Sequence, residues 1–153
     1  MEYQHTQWGF FLVPTVMVCA VVSIATTADE TSTTLTVVTV GFVIVLLFVV
    51  LVFSRLEVTV STGLVVAAFL FGRPHREIAL EDVTAVRQVR NRWTQGWGIR
   101  KTSEGWMYNV WGLDAVELEL SSGQVFRIGT NDPENLFTAL SLRVTPHRGP
   151  GRP

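Results

Sequence analysis

The sequence predicts an α+β protein in which a transmembrane hairpin of two helices precedes a small β domain closed by one C-terminal helix. Three observations lead to this fold class. The chain has 153 residues, the length of one ordinary domain, but it is 48% hydrophobic and only 16% charged, whereas about a quarter of a typical soluble domain is charged. Its basic residues begin only at Arg55. After Arg55, short stretches alternate apolar and polar side chains, as β-strands do.

The uneven charge excludes several classes of protein. Residues 1–54 carry three acidic side chains and no basic one, a net charge of −3, whereas residues 55–153 carry twelve basic and ten acidic side chains, a net charge of +2. A single soluble globule or a disordered charged tail does not divide its charges in this way. The one cysteine, Cys19, excludes a disulfide scaffold.

The first 54 residues are predicted to form the hairpin, with spans at about residues 8–28 and 34–53. No charged side chain lies within either span. About 20 residues at 1.5 Å each give roughly 30 Å, the thickness of the hydrocarbon core of a bilayer. The polar segment between the spans is short, so the helices must run antiparallel. We expect Asp29 and Glu30 at the turn, with Tyr3 and Trp8 near the opposite interface.

Orientation follows from the basic residues, which concentrate on the cytoplasmic side of membrane proteins. Arg55 follows the second span directly, and no basic residue precedes it. We therefore expect a multi-pass protein of the plasma membrane with its N-terminus and C-terminal domain in the cytoplasm. The alternative is that residues 9–28 are a cleaved signal peptide. Such peptides begin with a positive segment that this chain lacks, and cleavage would leave the second span and Arg55 in place.

Small side chains recur every four residues along the first span and predict a stripe on one helix face: Thr15, Cys19, Ser23 and Thr27. Small residues let transmembrane helices approach closely, so the stripe is a candidate packing seam, with Gly41 of the second span opposite. The alternative is that Thr and Ser are merely tolerated inside a span. We expect Cys19 to act as a small apolar residue, because lipid disfavours a thiolate.

Short strands are predicted after Arg55. Residues 56–60 alternate apolar and polar side chains, Thr62-Gly63 turns the chain, and residues 64–71 form the returning apolar strand. Later strands are expected at residues 76–80 and 83–89, which form one extended stretch bent at Glu81-Asp82, and at residues 99–101 and 106–110.

The register of the last hairpin follows from its apolar face. If residues 121–123 form a three-residue loop, with Gly123 in the left-handed conformation, Leu118 faces Phe126 and Glu117 faces Arg127. A two-residue loop would bring Arg127 onto the buried face, so the three-residue loop is preferred. We expect the pair of Glu117 and Arg127 to be exposed and to contribute only about 0.2–1 kcal/mol.

One amphipathic helix should close the domain. Asn131 or Asp132 can cap it, and Pro133 suits its first turn. An apolar stripe follows at Leu136, Phe137 and Leu140. The β domain is therefore expected over residues 55–142. Residues 143–153 are rich in Pro, Gly and Arg and should be disordered.

After the spans, six or seven short strands are followed by one helix. The segments that carry this order are residues 56–71, 78–83 (IALEDV), 96–100 (GWGIR), 105–110 (GWMYNV) and 114–133, which ends in RIGTNDP. This arrangement, over about residues 54–142, resembles the pleckstrin-homology-like (PH-like) domains of small bacterial membrane proteins. The resemblance implies a roughly orthogonal two-sheet sandwich or partly open barrel, plugged at one end by the final helix. It implies no common catalytic residues.

Residues suited to catalysis or metal binding are sparse. The chain has three histidines without metal-ligand spacing: His5, His75 and His147. Cys19 lies in a predicted span, and residues 96–101 (GWGIRK) lack the second half of either glycine-rich phosphate motif. Glu117 and Glu119 are better explained as solvated strand residues than as paired catalytic carboxylates. We therefore predict no enzyme, no cofactor, no metal and no small-molecule substrate.

One segment combines cations with aromatic side chains. Residues 83–103 carry a net charge of +5 and no acidic residue. The candidate binding residues are Arg87, Arg90, Arg92, Trp93, Trp97, Arg100 and Lys101. Each cation near an anionic leaflet contributes about 1 kcal/mol, and tryptophan favours the headgroup layer, so the segment is a candidate site for docking on lipid or a partner. The alternative is a solvated strand and loop whose tryptophans fill the core.

Together, these features predict a non-enzymatic integral membrane protein whose domain is an interaction or scaffold module, binding anionic lipid or a membrane protein partner. The alternative is a structural accessory subunit of a larger membrane complex, in which the hairpin packs on partner helices. Nucleic acid is a poorer partner, because the domain's net charge is only +2. An enzyme with an unrecognised site would rest on no residue pattern in the chain.

Overall fold

The computed structural model describes residues 2–9, 12–27, 33–96, 98–102 and 105–144. These residues form an α+β fold, as expected. The strands are β1 (Tyr3–Trp8), β2 (Arg55–Val60), β3 (Leu64–Phe69), β4 (His75–Ala79), β5 (Val83–Arg90), β6 (Gly98–Lys101), β7 (Gly105–Asn109), β8 (Asp114–Leu120) and β9 (Val125–Gly129). The helices are α1 (Leu12–Thr27), α2 (Thr33–Val52) and α3 (Pro133–Ser141).

The strands form two sheets. The first has the order β1-β2-β3-β4 and is antiparallel throughout. The second has the order β5-β8-β9-β7-β6, and its β7–β9 pair is parallel. The chain passes from β7 to β8 and leaves a gap between them, which β9 fills. Within the described residues neither sheet closes into a barrel.

One hydrophobic core joins the two sheets and α3. The alternating apolar residues of β2 and β3 are buried on one face of the first sheet. Val116 and Leu118 of β8 face them from the second sheet, and α3 adds Leu136 and Leu140. α3 contacts β5 and β8, so the final helix closes the domain as its amphipathic pattern predicts.

Strand β1 is not predicted from the sequence. The structure pairs it antiparallel with β2, with Tyr3 across from Val60, whereas the sequence assigns Tyr3 and Trp8 to the flank of the first span. The segment YQHTQW has polar residues on both faces, so it lacks the apolar alternation by which a strand is recognised. β1 lies at the edge of its sheet. Polar side chains are common on edge strands, because they discourage the free edge from pairing with another chain.

The extended stretch predicted at residues 76–89 is divided between the two sheets. β4 belongs to the first sheet and β5 to the second, and the predicted bend is a 3-10 turn, Leu80–Asp82. The Leu80 N–H donates to the Gly63 carbonyl oxygen at 2.8 Å. The Ser121 N–H donates to the Asp82 carbonyl oxygen at 2.8 Å. The bend is therefore the point where the chain changes sheets.

The register of the β8–β9 hairpin is confirmed. Leu118 lies across from Phe126 and Glu117 across from Arg127, and Gly123 has φ 77°. The expectation that the charged pair is exposed is wrong, because Glu117 is only 7% exposed and accepts a hydrogen bond from Arg127 Nε at 2.5 Å. The parallel β7–β9 pairing places the fully buried Met107 beside Arg127, and no local pattern reveals that neighbour.

Helices α1 and α2 follow each other and are in contact. By length and composition, α2 is the one helix among the described residues that is long and apolar enough to cross a membrane, and most of its surface is exposed. α1 contains a shorter apolar stretch, Val16–Ala25. α1 buries Val16 and Ala20, one helical turn apart.

The end of the domain differs slightly from the expected boundary. Asp132 occupies the N-cap position of α3 and Pro133 its first turn, but the Asp132 side chain makes no capping hydrogen bond. Its carboxylate instead accepts hydrogen bonds from Tyr3 and Asn135. Val144 is buried in the core, so the domain continues past residue 142. Most of the predicted disordered tail, residues 145–153, lies outside the described residues.

Candidate functional site

The two ends of the helical segment meet beside the first sheet. The Gly9 N–H donates to the Ser54 carbonyl oxygen at 2.7 Å, and the β1–β2 register places Trp8 across from Arg55. The Arg55 guanidinium lies 5.5 Å from the centre of the Trp8 ring, within cation–π distance. We call this end of the β domain, where β1 leads to α1 and α2 leads to β2, the helix-proximal end.

Three loops lie at the helix-proximal end. The 3-10 turn Leu70–Gly72, between β3 and β4, contacts α2. The β7–β8 loop is held there because the Gln7 side-chain amide donates to the Trp111 carbonyl oxygen at 2.6 Å. The β5–β6 loop lies beside it, because the Asn91 N–H donates to the Leu113 carbonyl oxygen at 2.6 Å.

Strand β1 and each of these loops expose an aromatic side chain. Phe71 is 72% exposed and Trp93 is 74% exposed, and Trp8 and Trp111 are also exposed. Phe71 has φ 64°, a left-handed conformation that is rare and strained for a residue with a side chain. Phe71 therefore combines backbone strain with an aromatic ring that the domain leaves uncovered.

Cations accompany these aromatic side chains. Arg55 is half-buried, and its Nη2 donates to Glu57 Oε2 at 2.9 Å. The exposed cations of the three loops and of β6 are Arg73, Arg90, Arg92, Arg100 and Lys101. Asp114, across from Arg90, adds one acidic side chain, so the positive charges are in excess.

A cleft of about 630 Å³ separates the end of α2 from β6. Its α2 wall consists of Val49, Val50 and Phe53, and its floor includes Val110. The opposite wall is formed by the whole of β6, Gly98–Lys101. We call this space the helix–strand cleft. It combines an apolar wall with two cations, Arg100 and Lys101.

The predicted binding residues do not all lie together. Arg87 lies on the outer face of β5, where its Nη2 is 3.0 Å from Glu119 Oε1, so a neighbouring carboxylate balances its charge. Arg90, Arg92 and Trp93 occupy the end of β5 and the loop that follows, and Arg100 and Lys101 lie on β6. Trp97 lies outside the described residues.

Two parts of this surface differ from the sequence-based expectation. The apolar pattern places Phe71 at the end of a strand, although the Gly72-Arg73-Pro74 that follows it is a turn signal. The sequence places Trp8 at the flank of a helix, because the pattern of β1 does not reveal a strand. The helix–strand cleft has no local signal, since Val49 and Lys101 are about fifty residues apart.

The structure describes the small-residue stripe of α1 only in part. Cys19 is exposed, and the side chains that α1 buries are one position further along the helix. Gly41 is exposed, and an added Cβ would meet no described atom within 4 Å, so a packing seam between Gly41 and the stripe stays a prediction. The side chains of Thr15 and Thr27 lie outside the described residues.

A polar cluster joins β1 to the start of α3. The Tyr3 hydroxyl donates to Asp132 Oδ2 at 3.2 Å, and His5 Nε2 lies 2.6 Å from Asn131 Oδ1. Burial, followed by the nearby Asp132 carboxylate, raises the pKa of Tyr3, so the phenol keeps its proton and remains a donor. Among the described residues, no group of three or more His, Cys, Asp or Glu side chains is placed to hold a metal ion. The contacts of Tyr3 and His5 fasten β1 to the start of α3.

Comparison with known proteins identifies no relative: no family model matches the chain, and no curated protein or solved structure is significantly similar to it.

Proposed function

We propose that this protein is a membrane-anchored, non-catalytic interaction module whose β domain binds anionic lipid at the cytoplasmic leaflet. In this proposal α1 and α2 form a transmembrane hairpin, and the PH-like domain lies against the membrane through its helix-proximal end. The observation that carries the proposal is the set of exposed aromatic and cationic side chains around the point where the helical segment joins the sheet.

The position of β1 supports a hairpin. β1 pairs with β2, so the segment before α1 and the segment after α2 lie on the same side of any membrane that α2 crosses. A chain that crosses through α2 must therefore have crossed in the other direction before it. α2 has 20 residues, about 30 Å at 1.5 Å per residue, which matches the hydrocarbon thickness.

The charge distribution supports a cytoplasmic domain. Arg55 begins β2 directly after α2, and no basic residue precedes it in the chain. Basic residues that flank spans remain on the cytoplasmic side. The acidic residues Asp29 and Glu30 fall between the two helices and are consistent with a turn on the other side.

Lipid binding accounts for both the exposed aromatic rings and the exposed cations of the helix-proximal end. Exposed aromatic rings such as Phe71 and Trp93 favour the headgroup layer. Each cation near an anionic leaflet adds about 1 kcal/mol, so the exposed cations of the loops at this end, Arg73, Arg90 and Arg92, give a substantial attraction.

The proposal predicts that the helix-proximal loops become protected on anionic membranes. The full chain would be placed in nanodiscs of phosphatidylcholine, with or without phosphatidylglycerol, and amide hydrogen exchange would be followed. Exchange at residues 70–73, 91–96 and 110–113 should slow with phosphatidylglycerol, and high salt should reverse the effect. The turns at residues 61–63 and 121–123, at the opposite end of the domain, are internal controls. Identical exchange in both lipids would refute lipid binding.

A second candidate function is that of an accessory subunit in a larger membrane complex. Cys19 of α1 favours it, because this small side chain is exposed and would let a partner helix approach closely. Purification in mild detergent distinguishes the two functions. A monodisperse protein of monomer mass, with no co-purifying chain, would contradict the accessory role.

A further inference from the structure

We propose that the helix–strand cleft holds one anionic phospholipid, with its phosphate at Arg100 and Lys101 and an acyl chain along α2. The inference deepens the proposed function and rests on it, because it requires α2 to lie in a membrane. It adds a single defined binding site to the diffuse attraction between the helix-proximal end and the leaflet.

The strand wall of the cleft offers hydrogen-bond donors. All four residues of β6, Gly98–Lys101, line the cleft. Neighbouring residues of a strand point to opposite faces, so a cleft lined by every residue runs along the edge of the strand. β6 is the last strand of the second sheet, and an outer strand edge presents N–H groups that no neighbouring strand uses. Sheet edges of this kind bind anions.

The charges at the cleft fit a phosphate. The described residues that line it include Arg100 and Lys101 and no acidic residue. A Cβ on Gly96 would lie 3.1 Å from Arg100 Cζ, so the glycine leaves the room that the guanidinium occupies beside the loop. An arginine fork can bind two phosphate oxygens at once, and the neighbouring lysine adds a second, more mobile positive charge.

The apolar wall selects a lipid over a soluble phosphate. Val49, Val50 and Phe53 line the side opposite the cations, and a soluble anion would leave these side chains without a partner. The preceding turns of α2 expose Val45 and Phe42 on this side of the helix, so the apolar surface continues from the cleft along the helix. An acyl chain can follow it into the bilayer while the phosphate stays at β6. The volume of about 630 Å³ is within the usual range of sites for small molecules, about 300–1,000 Å³.

The test is native mass spectrometry of the full chain released from detergent with equal amounts of phosphatidylglycerol and phosphatidylcholine. We expect one phosphatidylglycerol to be retained per wild-type chain. Replacing both cleft cations, Arg100→Gln with Lys101→Gln, should lower its affinity about 30-fold, the effect of two lost lipid contacts. The matched control is Arg90→Gln with Arg92→Gln, which removes the same charge from the neighbouring loop. Because these cations contribute only to the diffuse attraction, their loss should lower the affinity less than the loss of the cleft pair does.

Filling the apolar side of the cleft provides an independent variant. Val49 is exposed, so Val49→Trp should fold normally, keep both cations and still exclude the acyl chain. It should therefore reduce phosphatidylglycerol retention at least tenfold. If glycerol phosphate binds with the same affinity as the lipid, and Val49→Trp has no effect, the cleft is a site for soluble phosphate and the proposal is wrong.

The remaining outcomes separate this inference from the proposed function. Equal losses in the cleft variant and in its control would mean that the attraction is spread over the helix-proximal end, which refutes a lipid site in the cleft and leaves the proposed function standing. Equal retention of both lipids by the wild-type chain, together with unchanged hydrogen exchange in anionic nanodiscs, would refute both.

Discussion

Replacing Phe71 with glycine should stabilise the fold and weaken docking on lipid. Phe71 has φ 64°, and the left-handed conformation costs a residue with a side chain roughly 1–2 kcal/mol. Its ring is 72% exposed, so packing within the domain offsets little of this strain. Glycine adopts the same conformation freely, although its greater freedom in the unfolded chain removes part of the gain. We expect Phe71→Gly to raise the free energy of unfolding by about 1 kcal/mol.

Docking should change in the opposite direction. Complete removal of a phenylalanine side chain from water contributes about 1.5–3 kcal/mol. The exposed part of Phe71 would therefore contribute about 1–2 kcal/mol at the membrane. Losing that contribution lowers the ratio of docked to undocked domain by a factor of roughly 5–30.

Two measurements on the full chain separate these effects. Urea denaturation in detergent gives the stability of the fold, and hydrogen exchange at residues 91–96 and 110–113 in anionic nanodiscs gives the docked fraction. Phe71→Leu is the matched control, because it retains both the backbone strain and an apolar side chain and should stay near wild type in both assays. A Phe71→Gly variant that is less stable than wild type, or that docks equally well, would refute the reasoning.

Three further predictions follow from other contacts. Glu117→Gln should lower the free energy of unfolding by about 1–3 kcal/mol, because the Glu117 side chain is 9% exposed and paired with an arginine. The control, Glu119→Gln, lies on the same strand face but is 35% exposed, so it should lower the free energy of unfolding by less than about 1 kcal/mol. Equal decreases for the two variants in urea denaturation would contradict this. Burial and a neighbouring carboxylate raise the pKa of Tyr3 above its ordinary value of 10.0, so its contribution to stability is complete below that pH and is lost as the pH rises beyond it. Tyr3→Phe should therefore lose less stability than wild type in denaturation series at strongly alkaline pH, and parallel losses would exclude this role. In a cysteine-free background, an impermeant maleimide should label Thr33→Cys only in intact cells and Ser122→Cys only in inverted membrane vesicles; labelling of both positions from one side would rule out a membrane crossing by α2.

Local patterns were sufficient for most strands of the β domain. The β8–β9 register and its three-residue loop follow from alternating side chains and from Gly123, because both depend only on neighbours along the chain. β1 could not be found in this way, since a polar edge strand acquires its structure from β2, about fifty residues later. The burial of Glu117 was equally hidden, because it depends on the parallel pairing of β7 with β9.

The candidate site likewise has features that local sequence patterns reveal and features that depend on long-range contacts. Composition and charge alone show that the helices are apolar, that every basic residue follows them, and that residues 83–103 are rich in cations and tryptophan. The three-dimensional arrangement is needed to show that Arg87 is balanced by Glu119, and that Arg100 and Lys101 share a cleft with the end of α2. Composition and periodicity are properties of the chain. A binding surface is a property of distances between residues far apart in the chain, which the strand pairing and the packing of α2 establish.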